Sequence, residues 1–221
     1  ISALVISPLD ENSIKDELNK LSNDNVKIVT YNTDIEGTDR MCFVGQDLKK
    51  SGRVAGDLIG KLLPDGGRVI VISGPEKIKA LHDRIEGFLE VIKSEYPKVI
   101  VDAITHNIDN DADSYAHTVK MLKTHEPINA IYITARGIAG VCRAVKESGK
   151  KNIKIVCFDK IKETIELINE KIIDFTITQE PFMQGYLPIK ILFDYFFYNK
   201  MPADEHVYTK LEILTKQNID S

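Results

Sequence analysis

The chain has 221 residues, of which 43% are hydrophobic and 28% charged, a composition typical of globular proteins. Its 29 basic and 33 acidic residues give a net charge of −4, so this chain alone lacks the positive charge that neutralises nucleic-acid phosphates. Its apolar runs fall far short of the roughly 20 residues of a membrane helix, and no basic-then-apolar leader opens the sequence. We therefore expect no membrane insertion.

Strands and helices alternate in the first third of the chain. We predict strands at residues 1–7, 26–31, 42–44 and 68–73, and helices at residues 11–21 and 51–63. The second helix contains Gly52, Gly56 and Gly60, each of which costs about 1 kcal/mol relative to alanine. We expect close packing on a sheet to offset that cost.

The same alternation continues to the end of the chain. We predict strands at residues 99–104, 128–134, 153–158, 175–178 and 207–214, and helices at residues 76–96, 114–122, 137–148, 161–168 and 182–198. The acidic loop 109–113 lacks the glycine and the distal glutamate of a calcium loop, so we interpret it as a solvated helix start. Pro188 should kink the last helix or mark its true start.

Such alternation predicts an α/β fold with parallel sheets flanked by helices. Two interruptions, near residues 32–47 and near Gln179, are interpreted as crossings between two lobes. The predicted first lobe comprises residues 1–46 and 180–205, and the second comprises residues 47–179 and 206–221. Two such lobes would form a cleft that closes on a ligand by hinge motion.

The strongest functional signal is a pair of strands that end at polar side chains. Residues 153–158 end at Asp159, and residues 175–178 end at Gln179. Parallel strands would place both side chains at the carboxyl edge of the sheet, where open α/β sheets bind ligands. Two alternatives remain open: Asp159 could cap the next helix, and Gln179 could satisfy backbone groups at the crossing.

Arg84 is a further candidate, because its helical neighbours three and four residues away are alanine, leucine, glycine and phenylalanine. It therefore has no local carboxylate partner, although a long-range salt bridge remains possible. His82 is expected at the rim, with ligand contact as the second interpretation. Asn32 and Thr33 end another strand, where turn formation also explains them.

Thr134 ends a predicted strand and Arg136 lies two residues beyond it, where Arg136 could meet a carboxylate ligand or Asp159. The sequence contains no phosphate loop and no recognisable Ser-His-Asp or Cys-His constellation, so we expect a binding protein rather than an enzyme.

The cysteines and histidines show no metal-ligand spacing, and we expect no metal and no cofactor. Cys42, Cys142 and Cys157 are an odd number in apolar surroundings, which favours core thiols in a reducing compartment, and hence a cytoplasmic location.

Seven stretches resemble a known family. LVISPLDE, KIVTYNTD, VGQDLKKSGRVAGDLI, HDRIEGF, INAIYITAR, IKIVCFD and ITQEPFMQGYLPIKILFDY are similar, in order, to the fold shared by periplasmic sugar receptors and LacI/GalR-type regulators. The resemblance implies a two-lobed, periplasmic-binding-protein type I-like fold. It also implies that the first lobe is N-terminally incomplete, because the family's first strand, helix and second strand should precede Ile1.

ITQEPFMQGY and the ending KLEILTKQNID are more similar to regulators. The resemblance therefore implies a homodimeric LacI-family effector domain that binds a small carbohydrate between its lobes. DNA would be bound only through an upstream helix-turn-helix that is absent from this chain. The alternative is a sugar receptor of an ABC transporter or sensor kinase.

The resemblance also implies roles for individual residues. The arginine of RxxGF, Arg84 here, would fork onto sugar hydroxyls, and the aspartate of FD, Asp159, and Gln179 would bind the same sugar. Asn32 and Thr33 stand where many relatives carry a charged pair. If Arg136 joined Arg84, the two guanidinium groups would suit an acidic or phosphorylated sugar.

Overall fold

A computed structural model describes residues 1–9, 12–76, 78–125 and 127–220. The elements in chain order are β1 (Ala3–Ile6), α1 (Asn12–Asn23), β2 (Lys27–Tyr31), β3 (Cys42–Gly45), α2 (Leu48–Leu62), β4 (Gly67–Ser73), α3 (Lys79–Glu95), β5 (Val99–His106), α4 (Asp111–Thr124), β6 (Ala130–Ile133), α5 (Ile138–Ser148), β7 (Lys154–Phe158), α6 (Lys162–Asn169), β8 (Phe175–Thr178), α7 (Pro181–Tyr198), β9 (His206–Tyr208) and β10 (Glu212–Leu214). Every predicted helix has a counterpart, and so does every predicted strand except the last, which corresponds to two separate strands. Glu11, the predicted first residue of α1, and Lys77, within the predicted helix 76–96, lie outside the described residues.

The chain divides into two compact units. Unit 1 comprises Ile1–Asp47 and Gln179–Leu211, and unit 2 comprises Leu48–Thr178 and the residues from Glu212. The predicted strand at residues 207–214 was wrong, because the chain leaves one sheet and enters the other there. β9 pairs with β3 in unit 1, whereas β10 pairs with β8 in unit 2. Gln179 also packs with unit 1, not with the second lobe as predicted.

Unit 1 is a four-stranded parallel sheet in the order β1-β2-β3-β9. Alternate side chains of its strands point to opposite faces, so the sheet has two small cores. One core packs Ile28 against Leu18 of α1, and the other packs Val29 and Val44 against Leu192 of α7. Helices therefore cover both faces, as expected for parallel strands.

Unit 2 is a six-stranded sheet in the order β10-β8-β7-β6-β4-β5, in which only β10 runs antiparallel. The five parallel strands end at a common carboxyl edge. One core of unit 2 joins Ile131, Ile133 and Ile155 to apolar residues of α5 and α6. α2 and α3 lie against the opposite face.

The glycines of α2 serve helix packing, and not sheet packing as we expected. A Cβ atom on Gly52 would lie 1.9 Å from the carbonyl oxygen of Arg84, and one on Gly87 would lie 2.0 Å from that of Lys49. Each helix therefore presents a glycine to the backbone of the other. This close approach fixes the position of the α3 turn that carries Arg84.

The structure also shows the roles of the acidic loop 109–113 and of Pro188. The acidic loop is a helix start, since the side chain of Asn110 caps α4 by accepting a hydrogen bond from the backbone N–H of Asp113. α7 begins at Pro181, so Pro188 is an interior residue and does not mark the start of the helix.

Burial controls the chemistry of the three cysteines, which are all free thiols. It raises the pKa of Cys42 to about 11 and that of Cys142 to about 12, and it also raises the pKa of Cys157. Because the thiolate is the reactive form, we expect no reaction with iodoacetamide at neutral pH in the folded chain and three alkylations after denaturation. Intact-mass spectrometry measures both. Rapid alkylation of the native chain would contradict the core positions.

Candidate functional site

The carboxyl edge of the unit 2 sheet gathers most of the predicted site residues. Ser73, Asp159 and Thr134 stand at or just beyond the ends of β4, β7 and β6. Arg84 approaches them from the second turn of α3. Antiparallel packing of α3 against the strands explains this, because the helix begins at the edge where the strands finish.

Arg84 is buried, with only 6% of its surface exposed. Its Nη1 donates a hydrogen bond of 2.8 Å to the carbonyl oxygen of Thr134. Its guanidinium carbon lies 3.8 Å from the centroid of the Phe158 ring, which is a cation–π contact. Ring, carbonyl and helix together hold the guanidinium plane in one orientation.

Charge around Arg84 is balanced by the neighbouring residues. Burial lowers the pKa of Arg84, while the negative charge of Asp159 and the hydroxyl of Tyr132 act in the opposite direction. Arginine remains protonated despite such shifts. The edge therefore holds a fixed cation near a carboxylate, and the roles of Arg84 and Asp159 in sugar binding stay predictions.

Asp159 adopts a left-handed backbone conformation, with φ of +71°. Its N–H donates to the carbonyl of Ile177 at 3.0 Å, and its carbonyl accepts from Oγ1 of Thr176 at 3.0 Å. The proposed capping role is wrong, because α6 begins at Lys162 and its N-cap is Ile161. Residues held in this region cost of order 1–3 kcal/mol and tend to cluster at functional sites.

The same conformation recurs at other strand ends of the molecule. Asn32, Asp109 and Glu180 also have positive φ, and each follows a strand by three residues or fewer. Local polar side chains tolerate this conformation better than apolar ones. The backbone therefore turns sharply where the strands end, which points polar groups away from the sheet.

Thr134 and Arg136 differ in burial. Thr134 is fully buried, and its Oγ1 donates to Oγ of Ser73 at 2.8 Å. Arg136 is exposed, and its backbone N–H donates to Oδ1 of Asp109 at 2.9 Å. Thr134 is thus a scaffold for Arg84, and Arg136 offers an exposed side chain at the same edge.

His82 is exposed, as the rim interpretation predicted. Its Nε2 donates to the carbonyl of Glu76, and its ring stacks on that of His106, with centroids 6.5 Å apart. His106 in turn donates from Nδ1 to the carbonyl of Gly74 at 3.1 Å. The two rings therefore support the loop between β4 and α3.

Asn32 and Thr33 lie at the carboxyl edge of the unit 1 sheet. Oγ1 of Thr33 donates to the carbonyl of Pro8 at 2.6 Å and lies 2.9 Å from Oγ of Ser7. Nδ2 of Asn32 donates to the same Ser7 hydroxyl at 3.4 Å. These bonds tie the end of β2 to the end of β1, in agreement with the turn interpretation.

Gln179 follows β8 by one residue and is half-buried. Its carbonyl oxygen accepts hydrogen bonds from Nε2 of Gln184 at 2.9 Å and from Oγ1 of Thr209 at 3.0 Å. The backbone of Gln179 is therefore anchored in unit 1. Its role as a ligand contact stays a prediction.

Two aromatic residues that were not predicted from the sequence shape the site. Phe158 underlies Arg84, and Tyr132 packs against Phe88 and Phe158, with centroids 4.6 Å and 6.1 Å away. The buried Tyr132 hydroxyl has no hydrogen-bond partner among the described residues. Both residues lie in apolar strands. In such a strand the sequence pattern of an aromatic residue is the same whether the residue packs in the core or supports a site.

Other site types lack support in the part of the chain that the structure describes. There, no group of three or more His, Cys, Asp or Glu side chains could hold a metal ion. Within the same residues, no helix combines the length and apolar character that crossing a bilayer requires.

Comparison with known proteins gives the family. Residues 1–199 match the model of the periplasmic binding protein domain. The chain belongs to this family. The family is one of binding proteins, which agrees with the expectation that the chain is not an enzyme. It also agrees with the predicted α/β fold of parallel sheets flanked by helices.

Three relatives illustrate the likeness. The chain is 24% identical to the xylose/arabinose-binding protein XylF of Sulfolobus acidocaldarius, over 99% of this chain and 58% of that protein. It is 26% identical to AraP, an arabinose binding protein from Geobacillus stearothermophilus, with a TM-score of 0.87 over 99% of this chain and 78% of that one. It is 30% identical to the ribose operon repressor of Halalkalibacterium halodurans, over 70% of this chain and 45% of that protein.

The chain therefore spans 58% of the length of XylF and 45% of the length of the repressor. The two binding proteins match along nearly the whole chain, whereas the repressor matches a smaller part of it. The comparisons thus favour the receptor alternative over the regulator that the sequence analysis preferred.

Proposed function

We propose that this chain is the ligand-binding part of a sugar receptor, of the kind that serves an ABC transporter or a sensor kinase, and that its ligand is a neutral pentose. The observation that carries the proposal is the buried guanidinium of Arg84, held between Phe158 and the Thr134 carbonyl. The names of the relatives, which refer to xylose, arabinose and ribose, support the ligand class.

A cation beside a carboxylate can bind hydroxyl groups, because one group donates hydrogen bonds and the other accepts them. The guanidinium donates in a planar fork, and the carboxylate of Asp159 accepts, so neighbouring hydroxyls of one sugar can satisfy both. A buried guanidinium that has already lost its hydration loses little more when the sugar arrives. Fixing the guanidinium against Phe158 also spares the ordering cost of a long side chain.

The charge balance argues against an anionic sugar. The Asp159 carboxylate lies close enough to Arg84 to influence its pKa, so it would repel a uronate or a phosphate at the same place. Arg136, the second cation of that hypothesis, is exposed to solvent, where its charge is well screened. We therefore favour neutral over acidic or phosphorylated sugars.

A titration panel tests the proposal. We expect D-ribose, D-xylose or L-arabinose to bind, and at least one of them to bind more tightly than D-glucuronate and D-ribose 5-phosphate. Amide shifts in ¹H–¹⁵N spectra report even weak binding, and calorimetry gives the dissociation constants. Asp159→Asn should weaken pentose binding about tenfold or more, because an amide accepts less strongly than a carboxylate.

The matched control for that variant is Asp65→Asn, which changes a carboxylate in the turn before β4. It should leave pentose affinity unchanged. Preference for the anionic sugars would refute the neutral-ligand proposal. The absence of any amide shift near Arg84 and Asp159 with all five sugars would refute the binding site itself.

A regulator domain is the second candidate, because the match to the ribose operon repressor has the highest identity of the three. On that hypothesis a bound sugar would shift a homodimer between DNA-competent and incompetent states. The natural gene upstream of Ile1 discriminates the two: a helix-turn-helix supports the regulator, and a secretion signal supports the receptor. The cytoplasmic location and the DNA partner stay predictions until then.

A further inference from the structure

Tyr132 is a buried residue of unit 2 whose hydroxyl group the packing of the core does not explain. It lies in β6 with none of its surface exposed. Its ring stacks on that of Phe88 in α3, with centroids 4.6 Å apart and planes inclined by 27°, and lies 6.1 Å from that of Phe158 in β7. Both contacts involve the ring alone, so a phenylalanine would make them equally well.

The hydroxyl group of Tyr132 destabilises the fold where it stands. It has no hydrogen-bond partner in the part of the chain that the structure describes. A buried hydroxyl without a partner loses its hydration and gains no bond in return, so it costs stability relative to phenylalanine. A polar group kept in the interior at such a cost calls for an explanation other than stability, and a role in a site is the usual one.

Arg84 is the charged group that acts on this hydroxyl. Arg84 and Phe88 are four residues apart in α3, so they lie on one face of the helix, one turn from each other. Phe88 contacts Tyr132, and the guanidinium of Arg84 lies over Phe158. Burial raises the pKa of the Tyr132 hydroxyl, and the positive charge of Arg84 offsets only part of that rise. At neutral pH the guanidinium therefore has a neutral dipole near it.

Two other roles for the hydroxyl do not fit its position. Because its oxygen is buried, a sugar at the carboxyl edge does not touch it. Because its pKa is raised, it does not exchange protons near neutral pH. A third role fits, since a phenolic oxygen turned toward a cation stabilises the charge in surroundings of low dielectric. Unlike a carboxylate, a neutral oxygen leaves the guanidinium charged and able to donate to a ligand.

We propose that Tyr132 is a positioning residue, whose phenolic oxygen holds the guanidinium of Arg84 in the orientation that binds a sugar. This inference rests on the proposed function, in which Arg84 is the ligand contact. β6 lies between β4 and β7 in the sheet, and the Phe88 ring covers that of Tyr132, so the oxygen has little freedom to move. A cation oriented in advance loses less freedom when the sugar binds, which raises affinity.

Tyr132→Phe tests the proposal, because stability and affinity should change in opposite directions. We expect the variant to unfold about 2–4 °C higher than the original chain, since it no longer buries a hydroxyl without a partner. We expect it to bind the tightest pentose about three- to tenfold more weakly, which is the range of one modest polar interaction. Thermal unfolding and calorimetric titration measure the two effects. A residue with a merely structural role would change stability and leave affinity unaltered.

The guanidinium of Arg84 gives a second measurement, which needs no sugar. Its Nε–Hε signal in ¹H–¹⁵N spectra is identified by its loss in Arg84→Lys. Rotation about the Nε–Cζ bond should be about threefold or more faster in Tyr132→Phe, because the orienting oxygen is gone. Since this rate is measured on the free chain, it separates failure of the positioning role from failure of the proposed function.

The matched control is Tyr115→Phe, in α4. The ring of Tyr115 also lies near an arginine, with the guanidinium carbon of Arg143 4.3 Å from its centroid, but its hydroxyl donates to Oε2 of Glu147 at 2.5 Å. This variant should alter neither pentose affinity nor the Arg84 signal.

Unchanged pentose affinity in Tyr132→Phe overturns the proposal, and so does an unchanged rotation rate of the Arg84 guanidinium. An equal loss of affinity in Tyr115→Phe also overturns it. If the original chain binds none of the pentoses, the proposed function fails, and the rotation rate alone decides whether Tyr132 positions Arg84.

Discussion

Replacing Arg84 by methionine is expected to lower pentose affinity on the order of a hundredfold, while changing the free energy of unfolding little. A hydrogen bond to a charged group contributes about 1.5–3 kcal/mol, and a forked pair contributes more than one such bond. Methionine fills a similar volume and contacts the Phe158 ring favourably through its sulfur. It also removes a buried charge, which offsets the lost hydrogen bond to Thr134.

Arg84→Lys separates charge from geometry. Lysine keeps the positive charge but has no planar fork, so we expect most of the affinity loss to remain. Calorimetric titration with the tightest pentose measures the loss, and thermal unfolding measures stability. Arg53→Met is the matched control, because Arg53 is an exposed arginine whose side chain retains 56% of its surface. If Arg84→Met bound pentose as tightly as the original chain, the proposed site would be wrong.

Sequence patterns predicted the elements well, because most of them have strong periodicity. The isoleucine stripe of α6 and the apolar run of β7 each have one interpretation only, and both lie where predicted. The end of the chain was harder. Residues 206–214 are β-rich throughout, and a strand pattern alone cannot tell which sheet accepts each half. Only the pairing of β9 with β3 and β10 with β8 settles it.

The predicted site shows the same limit. Strand ends and the RxxGF pattern indicated Arg84 and Asp159, and the structure places both at one edge of unit 2. Neither Phe158 nor Tyr132 could be predicted to support the guanidinium, because aromatic residues in buried strands have the same sequence pattern in any core. Arg136 lies just beyond a strand end, as predicted, and is exposed there, so its contact with a ligand stays a prediction.

A second large effect is expected in unit 1, where Arg40 and Asp34 form a nearly buried ion pair. Nε and Nη2 of Arg40 donate to the two carboxylate oxygens at 2.7 and 2.5 Å, and Oγ1 of Thr30 donates to the same carboxylate at 2.7 Å. Their side chains are only 5% and 18% exposed. Arg40→Met would leave Asp34 charged and poorly hydrated, so we expect the free energy of unfolding to fall by about 3 kcal/mol.

The loss of stability in Arg40→Met should be confined to the strands of unit 1 around the ion pair. Because Nη1 of Arg40 donates at 3.3 Å to the carbonyl of Glu205, the residue just before β9, amide exchange should accelerate in β2, β3 and β9 of unit 1. The control Lys20→Met breaks an ion pair of similar length between side chains that are 67% and 66% exposed. It should cost less than about 1 kcal/mol, as surface pairs do.

Asp34→Asn combined with Arg40→Met completes a double-mutant cycle. Removing both charges should restore part of the lost stability, because the cost of Arg40→Met lies in the stranded carboxylate and not in the missing attraction. If the double variant were as unstable as the sum of the two single variants, the pair would not be coupled. The position of Asp34 just beyond β2 would then depend on Thr30 and His206.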